Sequence, residues 1–434
     1  MMNESLPLCK TTPKGSKRNV KYMKSSLLAV PLNVDEVSSA LLNVETRTRT
    51  SYFPWRGQFS PQFAEVILER YGIPGTSVLD PFCGVGTVLM EACRLGLTGK
   101  GIELNPAAYI LARVYTLIAL RPLERERLLN SVENHDLKQL SQELNSFVSF
   151  DKKGGRPQEI HEDQKNIKKI IEKSSTKKRI ILEAFVILLD LFKTINTGRI
   201  IKVWVRLKRI IMSLPYSGNK IDVVHGDGRY PSGRFDLVFT SPPYINVYNY
   251  HEQYRLSAEV LGWDILRVAA SEIGSNRKYR GNRFLMVIEY CLDMVMMLAS
   301  LWNCTSEDAR LVFVMGRESK VRGLAFFNAC ILADLAHTVG YGLILRQERM
   351  YGNRFRQKIY ENILHFNKKD KNPHNLACLQ NKARRVAAAH LLDNLDNVKS
   401  KEVSMDLMKA LERIDEIKPS PPYGHLNGDV SNRP

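Results

Sequence analysis

The chain has 434 residues and a formal net charge of +18, with 44% hydrophobic and 25% charged residues. This composition is typical of a soluble globular protein with room for one large core or two smaller ones, and the basic excess is compatible with a nucleic-acid partner without requiring one. Seven scattered cysteines without a C-x-x-C pair argue against a disulfide framework and a zinc cluster, so we predict no metal site.

Two apolar runs, residues 180–192 and 284–301, raise the question of a membrane span. Each run carries acidic residues and falls short of a clean span, so we predict buried core helices and no membrane partner. The amino terminus lacks an apolar run followed by a cleavage site, which argues against a secretory signal. These features predict a cytoplasmic protein.

The first predicted elements follow a polar lead-in, residues 1–45, which we expect to be extended or poorly ordered. They are a helix at residues 59–71, a strand at 76–80, a helix at 87–95 and a strand at 98–104. Ser60 is a suitable N-cap for the first helix, and Pro61 suits its first turn. The alternation of strand, glycine-rich turn, helix and strand predicts a βαβ unit with a parallel sheet.

Residues 107–219 interrupt this alternation with a mostly helical stretch, which we interpret as an insertion. The later predicted elements are strands at 220–227 and 235–240, a helix at 279–302, a strand at 309–316, a helix at 323–339, and an antiparallel strand pair at 342–350 and 360–366. The sequence therefore predicts an α/β domain built from residues 46–106 and 220–366. A charged helical extension and tail, residues 367–434, follow it.

A glycine-rich turn, Asp80-Pro81-Phe82-Cys83-Gly84-Val85-Gly86-Thr87, joins the first predicted strand to its helix. Glycines let the backbone approach a ligand closely, and the helix start offers free N–H groups. Glu103 ends the second strand, where an acidic side chain can accept both ribose hydroxyls, and Asp227 follows the third, where it can accept from an adenine amino group. Each acid alone is equally consistent with a helix cap or a turn, but together they predict an adenosyl ligand.

A second turn, Ser241-Pro242-Pro243-Tyr244, directly follows the strand at residues 235–240. Two consecutive prolines fix φ and remove two N–H donors, so the carbonyl groups there stay free and rigidly aimed. The Ser241 hydroxyl and the Pro242 carbonyl can accept both hydrogens of an exocyclic amine and expose its lone pair for a direct displacement. Tyr244 offers a flat face to a flipped-out base. A proline-rich turn without a catalytic role is the alternative for the tetrapeptide alone.

Over roughly residues 50–366 the chain resembles the amino-methyltransferases of bacterial DNA modification, and it is most similar to the cytosine-N4 group, in which Ser-Pro-Pro-Tyr replaces Asp-Pro-Pro-Tyr. The resemblance implies a Rossmann-like class I methyltransferase fold, a seven-stranded sheet with one antiparallel edge strand, and S-adenosyl-L-methionine as cofactor. It implies a catalytic role for Ser241, Pro242, Pro243 and Tyr244. It implies cofactor binding by Asp80, Pro81, Phe82, Cys83, Gly84, Gly86, Thr87, Glu103 and Asp227. Residues 53–61 resemble the segment that packs over the methionine end of the cofactor.

Aromatic and basic residues after the catalytic turn are candidates for DNA contact. They are Tyr248, Tyr250, Arg277, Lys278, Arg280 and Arg283. The tyrosines can line the base pocket or pack inward from an amphipathic helix, and we leave both interpretations open. For the basic residues we favour phosphate contact over a merely solvated loop.

The resemblance implies site-specific methyl transfer from S-adenosyl-L-methionine to cytosine N4 in double-stranded DNA, within a restriction-modification system that also has a cognate restriction endonuclease. Methylation of adenine N6 and methylation of an RNA base are alternatives with the same fold. A catalytically silent nucleic-acid-binding protein is an alternative of a different class. Target recognition is expected in the insertion at residues 107–219 or beyond Tyr244.

Overall fold

The computed structural model describes residues 27, 30–34, 36–45, 48–146, 157–192, 195–246, 249–275, 278–352, 357–369 and 375–424. Two of the residues predicted to contact DNA, Tyr248 and Arg277, lie outside the described residues, as do residues 1–26 of the predicted lead-in.

The described strands are β1 (Ser77–Asp80), β2 (Thr98–Glu103), β3 (Ile221–His225), β4 (Phe235–Thr240), β5 (Thr305–Gly316), β6 (Ser319–Val321), β7 (Leu324–Phe326), β8 (Tyr341–Gly352) and β9 (Lys358–Lys368). Seven of them form one sheet in the order β3-β2-β1-β4-β5-β9-β8, and β6 pairs with β7 in a separate hairpin. The predicted α/β fold with a mostly parallel seven-stranded sheet is confirmed.

The reversed strand lies one place further in than expected. β9 runs antiparallel to both of its neighbours, β5 and β8, whereas the other pairs of the sheet are parallel. The edge is formed by β8, which precedes β9 in the chain, because the hairpin inserts its second strand beside β5. The predicted antiparallel pair is thus confirmed, while the reversed strand is next to the edge and not at it.

The described α-helices are α1 (Ser39–Asn43), α2 (Pro61–Tyr71), α3 (Thr87–Arg94), α4 (Pro106–Arg113), α5 (Pro122–Ser131), α6 (Leu137–Ser146), α7 (Pro157–Lys173), α8 (Thr176–Leu189), α9 (Thr197–Ser213), α10 (Arg255–Val260), α11 (Ile265–Ser271), α12 (Leu285–Cys304), α13 (Asn328–Val339), α14 (Leu376–Leu392) and α15 (Lys401–Glu412). α2 begins as predicted, because the Ser60 hydroxyl accepts from the Phe63 N–H at 3.4 Å. The helix predicted at residues 323–339 starts later than expected, since β7 occupies its first turn.

Helices cover both faces of the sheet, because alternate strand residues point to opposite sides. Leu237 and Phe239 of β4 belong to the buried cluster that contains α2 side chains such as Phe63 and Ile67. Val238 belongs instead to the cluster that contains α12 and α13. The sheet is therefore the middle layer of three.

α12 is the central helix of one face and is apolar around most of its circumference. It is the one helix of the described residues that is long and apolar enough to cross a membrane, but 89% of its most apolar window is buried inside the fold. Most of the run at residues 180–192 is likewise buried within α8, which ends at Leu189, whereas Leu191 beyond the helix is exposed. Both predicted core helices are confirmed.

The helical insertion begins with α4, which lies against one face of the sheet. α4 packs against β2 and β3, and its Leu111 shares a buried cluster with Leu89 of α3. α5 to α9 extend this cluster outward. The fully buried Arg125 side chain donates at 2.8 Å to the carbonyl groups of both Leu120 and Pro215, so it ties the start of the insertion to its end.

The chain ends outside the predicted domain also pack onto it. Leu379 and Leu391 of α14 and Leu407 of α15 belong to the buried cluster that contains Phe313 of β5. At the other end, Leu32 pairs with β8. The carboxyl-terminal helices and part of the predicted lead-in are therefore built into the same body as the sheet.

Candidate active site

The glycine-rich turn and the Ser-Pro-Pro-Tyr turn meet at one edge of the sheet. β1 and β4 are parallel neighbours, so their carboxyl ends lie side by side. The Thr240 hydroxyl donates to the Asp80 carboxyl oxygen at 2.7 Å and links the two turns directly. Asp80, Gly84, Ser241 and Pro243 all line one cleft with about 890 Å³ of empty space, its open mouth included.

The glycine turn requires its glycine at position 84. Gly84 has φ of +52°, a conformation that L side chains rarely adopt. A Cβ atom at this position would also lie 3.2 Å from the indole ring of Trp55. Trp55 therefore packs directly over the turn, as expected for the segment at residues 53–61, and it lines the same cleft.

Two carboxyl groups of the cleft lack a cationic partner among the described residues. Loss of hydration raises the pKa of Asp80 to about 7, against the opposing effect of its hydrogen bonds from Thr240 and the Phe82 N–H. Loss of hydration also raises the pKa of Glu103 to about 7. The Glu103 carboxyl accepts from the backbone N–H groups of Gly84 at 2.8 Å and Asn105 at 2.7 Å. A cationic ligand in the cleft would favour the ionised form of both groups.

Asp227 lines the cleft but is already engaged. Its carboxylate accepts from the Arg229 guanidinium, at 3.0 Å through Nε and 2.6 Å through Nη2, and from the Tyr423 N–H at 3.2 Å. Arg229 is fully buried and also contacts Asp293 at 2.6 Å. The side chain of Asp227 is therefore fixed by contacts that reach the carboxyl-terminal part of the chain.

The Ser-Pro-Pro-Tyr turn is held from two sides. The hydroxyl groups of Ser241 and Tyr244 are 3.0 Å apart, and the Tyr244 hydroxyl donates to the Val314 carbonyl at 3.4 Å. The Tyr290 hydroxyl donates to the Pro243 carbonyl at 3.1 Å. Burial raises the pKa of Tyr244 well above its usual value, so its phenol stays neutral at physiological pH.

An aromatic stack borders the cleft. The Trp55 ring is nearly parallel to those of Tyr250 and Tyr254, with centroid distances of 6.4 and 6.2 Å. Tyr250 and Trp55 also line the cleft. The contact of Tyr250 with a target base stays a prediction.

The predicted basic cluster is divided by the fold. Lys278 is turned inward, with its ammonium group 3.3 Å from the Glu289 carboxylate and 2.6 Å from the Ser420 hydroxyl, so it is not presented to a phosphate. Arg283 donates to the Asn246 side chain at 3.2 Å. Arg280 is exposed. Of the three described members of the cluster, Arg280 is the best placed to contact DNA.

Cys83 lies at the floor of the glycine turn and is buried. Burial raises the pKa of its thiol well above the usual value, so the thiolate is disfavoured. Cys83 is therefore a poor candidate for a catalytic nucleophile.

Sequence reasoning missed a buried pair behind the cleft. His251 is fully buried, and its Nδ1 atom lies 2.6 Å from a carboxylate oxygen of Glu272, which lines the cleft. The other Glu272 oxygen accepts from the His251 N–H at 2.5 Å. No spacing rule points to this pair, because its members are 21 residues apart in an irregular segment.

It also missed a second Ser-Pro-Pro-Tyr at residues 420–423, near the end of the chain. The Tyr423 N–H reaches Asp227, as described above. Repetition of a rare tetrapeptide was the signal that could have revealed this segment.

Comparison with known proteins now bears on this geometry. Residues 16–113, which include the glycine turn and Glu103, match a family model described as DNA methylase, of the N6/N4 type. Over these residues the chain is similar to the N6/N4 DNA methylases. It is 27% identical over 139 residues to type II methyltransferase M.MjaII of Methanocaldococcus jannaschii, an alignment of 32% of this chain and 23% of the relative. It is 22% identical over 272 residues to type II methyltransferase M.BsoBI of Geobacillus stearothermophilus, covering 49% of this chain and 53% of the relative.

The chain therefore spans between about a quarter and a half of the length of these two type II methyltransferases. Solved structures with a looser similarity include TrmN from Thermus thermophilus, with 13% identity and a TM-score of 0.29 over 72% of this chain and 50% of that one. They also include the rRNA methyltransferase aviRa from Streptomyces viridochromogenes, with 12% identity and a TM-score of 0.29 over 84% and 98% of the two chains.

Proposed function

We propose that the protein transfers a methyl group from S-adenosyl-L-methionine to the N4 amino group of cytosine in double-stranded DNA. The observation that carries this proposal is the single cleft lined by both the glycine turn and the Ser-Pro-Pro-Tyr turn. The distant relationship to N6/N4 DNA methylases supports amino methylation of DNA. Serine at the first position of the tetrapeptide favours cytosine N4 over adenine N6.

The residues at the glycine turn fit the cofactor. S-adenosyl-L-methionine carries a sulfonium and an ammonium group, and bound in the cleft it supplies an electrophilic methyl group. Asp80 and Glu103 have no cationic partner among the described residues, so a positively charged ligand would supply the missing counter-charge and favour their ionised forms. Gly84 lets the backbone approach it closely, and Trp55 closes one side.

The tetrapeptide prepares the target amine. Donation by the Tyr244 O–H to the Val314 carbonyl makes Ser241 the donor in its contact with Tyr244, which leaves the lone pairs of the Ser241 oxygen to accept from the amine. The Ser241 oxygen and the Pro242 carbonyl then accept one amine hydrogen each, which turns the nitrogen lone pair toward the methyl group. Positioning of the amine carries the catalysis, and no covalent intermediate with the protein is needed.

The modified base identifies the reaction. Purified protein is incubated with duplex DNA and S-adenosyl-L-methionine labelled in its methyl group, and the digested DNA is resolved into nucleosides. N4-methylcytosine is the expected product. N6-methyladenine would replace the proposal with its nearest alternative, and label that enters tRNA in preference to DNA would replace it with RNA methylation.

Substitutions in the tetrapeptide test the assignment of catalysis. Ser241→Ala and Tyr244→Ala should lower turnover at least about 100-fold, because each removes a group that orients the amine, while the affinity for S-adenosylhomocysteine stays within about twofold. Tyr216→Ala, at a tyrosine that is 57% exposed, is the matched control. Near-normal turnover of Ser241→Ala would contradict the assignment.

Both relatives are named type II methyltransferases, which supports a place for this chain in a restriction-modification system, with a cognate endonuclease as partner and the cytoplasm as location. Expression of the chain should then protect plasmid DNA from one specificity within a panel of restriction endonucleases. Long-read sequencing of the same plasmid should report the methylated sequence context. Uniform cleavage by the whole panel, with no modified base detected, would count against this role.

A further inference from the structure

The Ser-Pro-Pro-Tyr tetrapeptide at residues 420–423 follows α15 and lies beside Asp227, which lines the cleft. Ser420 is 1% exposed. Its N–H and its hydroxyl donate to the two carboxylate oxygens of Asp293, at 2.9 and 2.6 Å. The Lys278 ammonium donates to the same hydroxyl at 2.6 Å. A serine so close to the chain end is therefore held as firmly as a core residue.

The backbone carbonyl groups of the segment accept hydrogen bonds from a buried cation. Arg229, which is fully buried, donates to the carbonyl groups of Ser420 at 2.7 Å and Pro421 at 3.0 Å. Proline has no N–H donor, so these carbonyls are not drawn into regular secondary structure. The same guanidinium binds Asp227 and Asp293, so one cation joins the tail, the core helix α12 and the cleft residue Asp227.

Tyr423 contacts residues at the end of β3, beside the cleft. Its N–H reaches the Asp227 carboxylate at 3.2 Å, and its ring meets the His225 ring edge-on, with centroids 5.0 Å apart. His225 pairs in register with Glu103, so the tail reaches the ends of β2 and β3. Burial lowers the pKa of His225 to about 4, so a neutral ring faces Tyr423 at physiological pH.

We propose that residues 420–423 form a carboxyl-terminal clasp that positions Asp227 at the adenosine end of the cofactor cleft. This inference rests on the proposed function, because it assigns the adenosine of the cofactor to the end of the cleft near Glu103 and Asp227. The clasp acts through Asp227, and Ser420 and Tyr423 are positioning residues that do not touch the reacting atoms.

The clasp predicts a specific kinetic signature. Ser420→Ala removes the hydroxyl bonds to Asp293 and Lys278, and Tyr423→Ala removes the ring beside His225. Each should raise KM for S-adenosyl-L-methionine about tenfold and leave kcat at saturating cofactor unchanged. Tyr423→Phe keeps the ring and the backbone N–H, so it should behave like the unchanged protein. Ser400→Ala, at an exposed serine whose side chain makes no cap bond, is the matched control.

Calorimetry with two ligands locates the effect in the full-length protein. S-adenosylhomocysteine carries both ends of the cofactor, and 5′-methylthioadenosine lacks the amino-acid end. Ser420→Ala and Tyr423→Ala should weaken both ligands by the same factor. Unchanged affinity of Tyr423→Ala for S-adenosylhomocysteine, or a loss seen with S-adenosylhomocysteine alone, would overturn the clasp.

Two failures remain distinguishable. If Ser420→Ala does not fold, as judged by its thermal midpoint, the partly exposed Tyr423 still provides the test. If the unchanged protein binds neither ligand, the proposed function itself is wrong. If it binds both and the two variants bind equally well, only the clasp is wrong.

Discussion

The substitution Gly316→Ala should move the Tyr244 ring while leaving its chemical groups unchanged. Gly316 ends β5, and a Cβ atom there would lie 2.9 Å from Cε2 and 3.3 Å from Cδ2 of the Tyr244 ring. Carbon atoms pack best about 3.5–4.0 Å apart, so the ring has to move by roughly half an ångström. The Gly316 backbone is outside the left-handed region, so the added methyl group acts through this contact.

The expected cost follows from the tightness of the turn. Tyr244 cannot retreat freely, because a Cβ atom at Gly274 would lie only 2.7 Å from the Tyr244 carbonyl oxygen, which shows how closely the backbone is packed. A misplacement of about 1 Å can lower a rate about 100-fold, so half that shift predicts turnover about 10- to 100-fold lower. Gly316 does not line the cofactor cleft, so the affinity for S-adenosylhomocysteine should stay unchanged.

The assay is single-turnover methylation of duplex DNA at saturating cofactor, with calorimetry of S-adenosylhomocysteine alongside. Gly218→Ala is the matched control, because a Cβ atom there would meet nothing within 4 Å. Turnover of Gly316→Ala equal to that of Gly218→Ala would refute the reasoning. So would a loss of cofactor affinity as large as the loss of turnover.

Three further predictions concern pH, DNA binding and the cleft wall. Burial raises the pKa of Asp80 to about 7, so the folded protein retains a proton that the unfolded chain releases near pH 4. The free energy of unfolding should therefore fall as pH rises from about 4 to about 7. Asp80→Asn should flatten this slope in thermal melts, and an unaltered slope would contradict the prediction. Lys202, Arg206 and Arg209 are exposed at helical spacing on α9. Replacing all three with alanine should weaken binding to any duplex and reduce the slope of log affinity against log salt by up to about 3. An unchanged slope would exclude α9 from phosphate contact. Trp55→Ala should weaken S-adenosylhomocysteine binding about tenfold by opening the wall over Gly84, with Trp55→Phe intermediate; equal affinities of all three proteins would contradict this.

The local elements of the fold were predictable because their signals lie close together in the chain. Ser60 and Pro61 set the start of α2, and residues 76–104 predicted the βαβ unit. A strand followed by a turn is a local pattern, and the parallel arrangement of β1 and β4 then brings their turns together. The cleft could therefore be anticipated before any coordinates.

The surroundings of the site could not be predicted, because they depend on packing between distant segments. Nothing near Lys278 in sequence shows that its ammonium group turns inward to Glu289 and Ser420. At the sheet edge, β9 lies between β5 and β8 although it follows β8 in the chain. This order likewise follows from the pairing of a hairpin with β5, which no local pattern specifies.

The sequence by itself determined the α/β architecture and the two turns that carry the proposed chemistry, since periodicity, prolines and glycines act within a few residues. Tertiary structure alone decided which distant residues surround those turns and fix the side chain of Asp227. Asp227 is fixed by an arginine two residues away and by Tyr423, 196 residues further along the chain. Only folding brings such groups together, because a buried charge must find its partners wherever the packed chain supplies them.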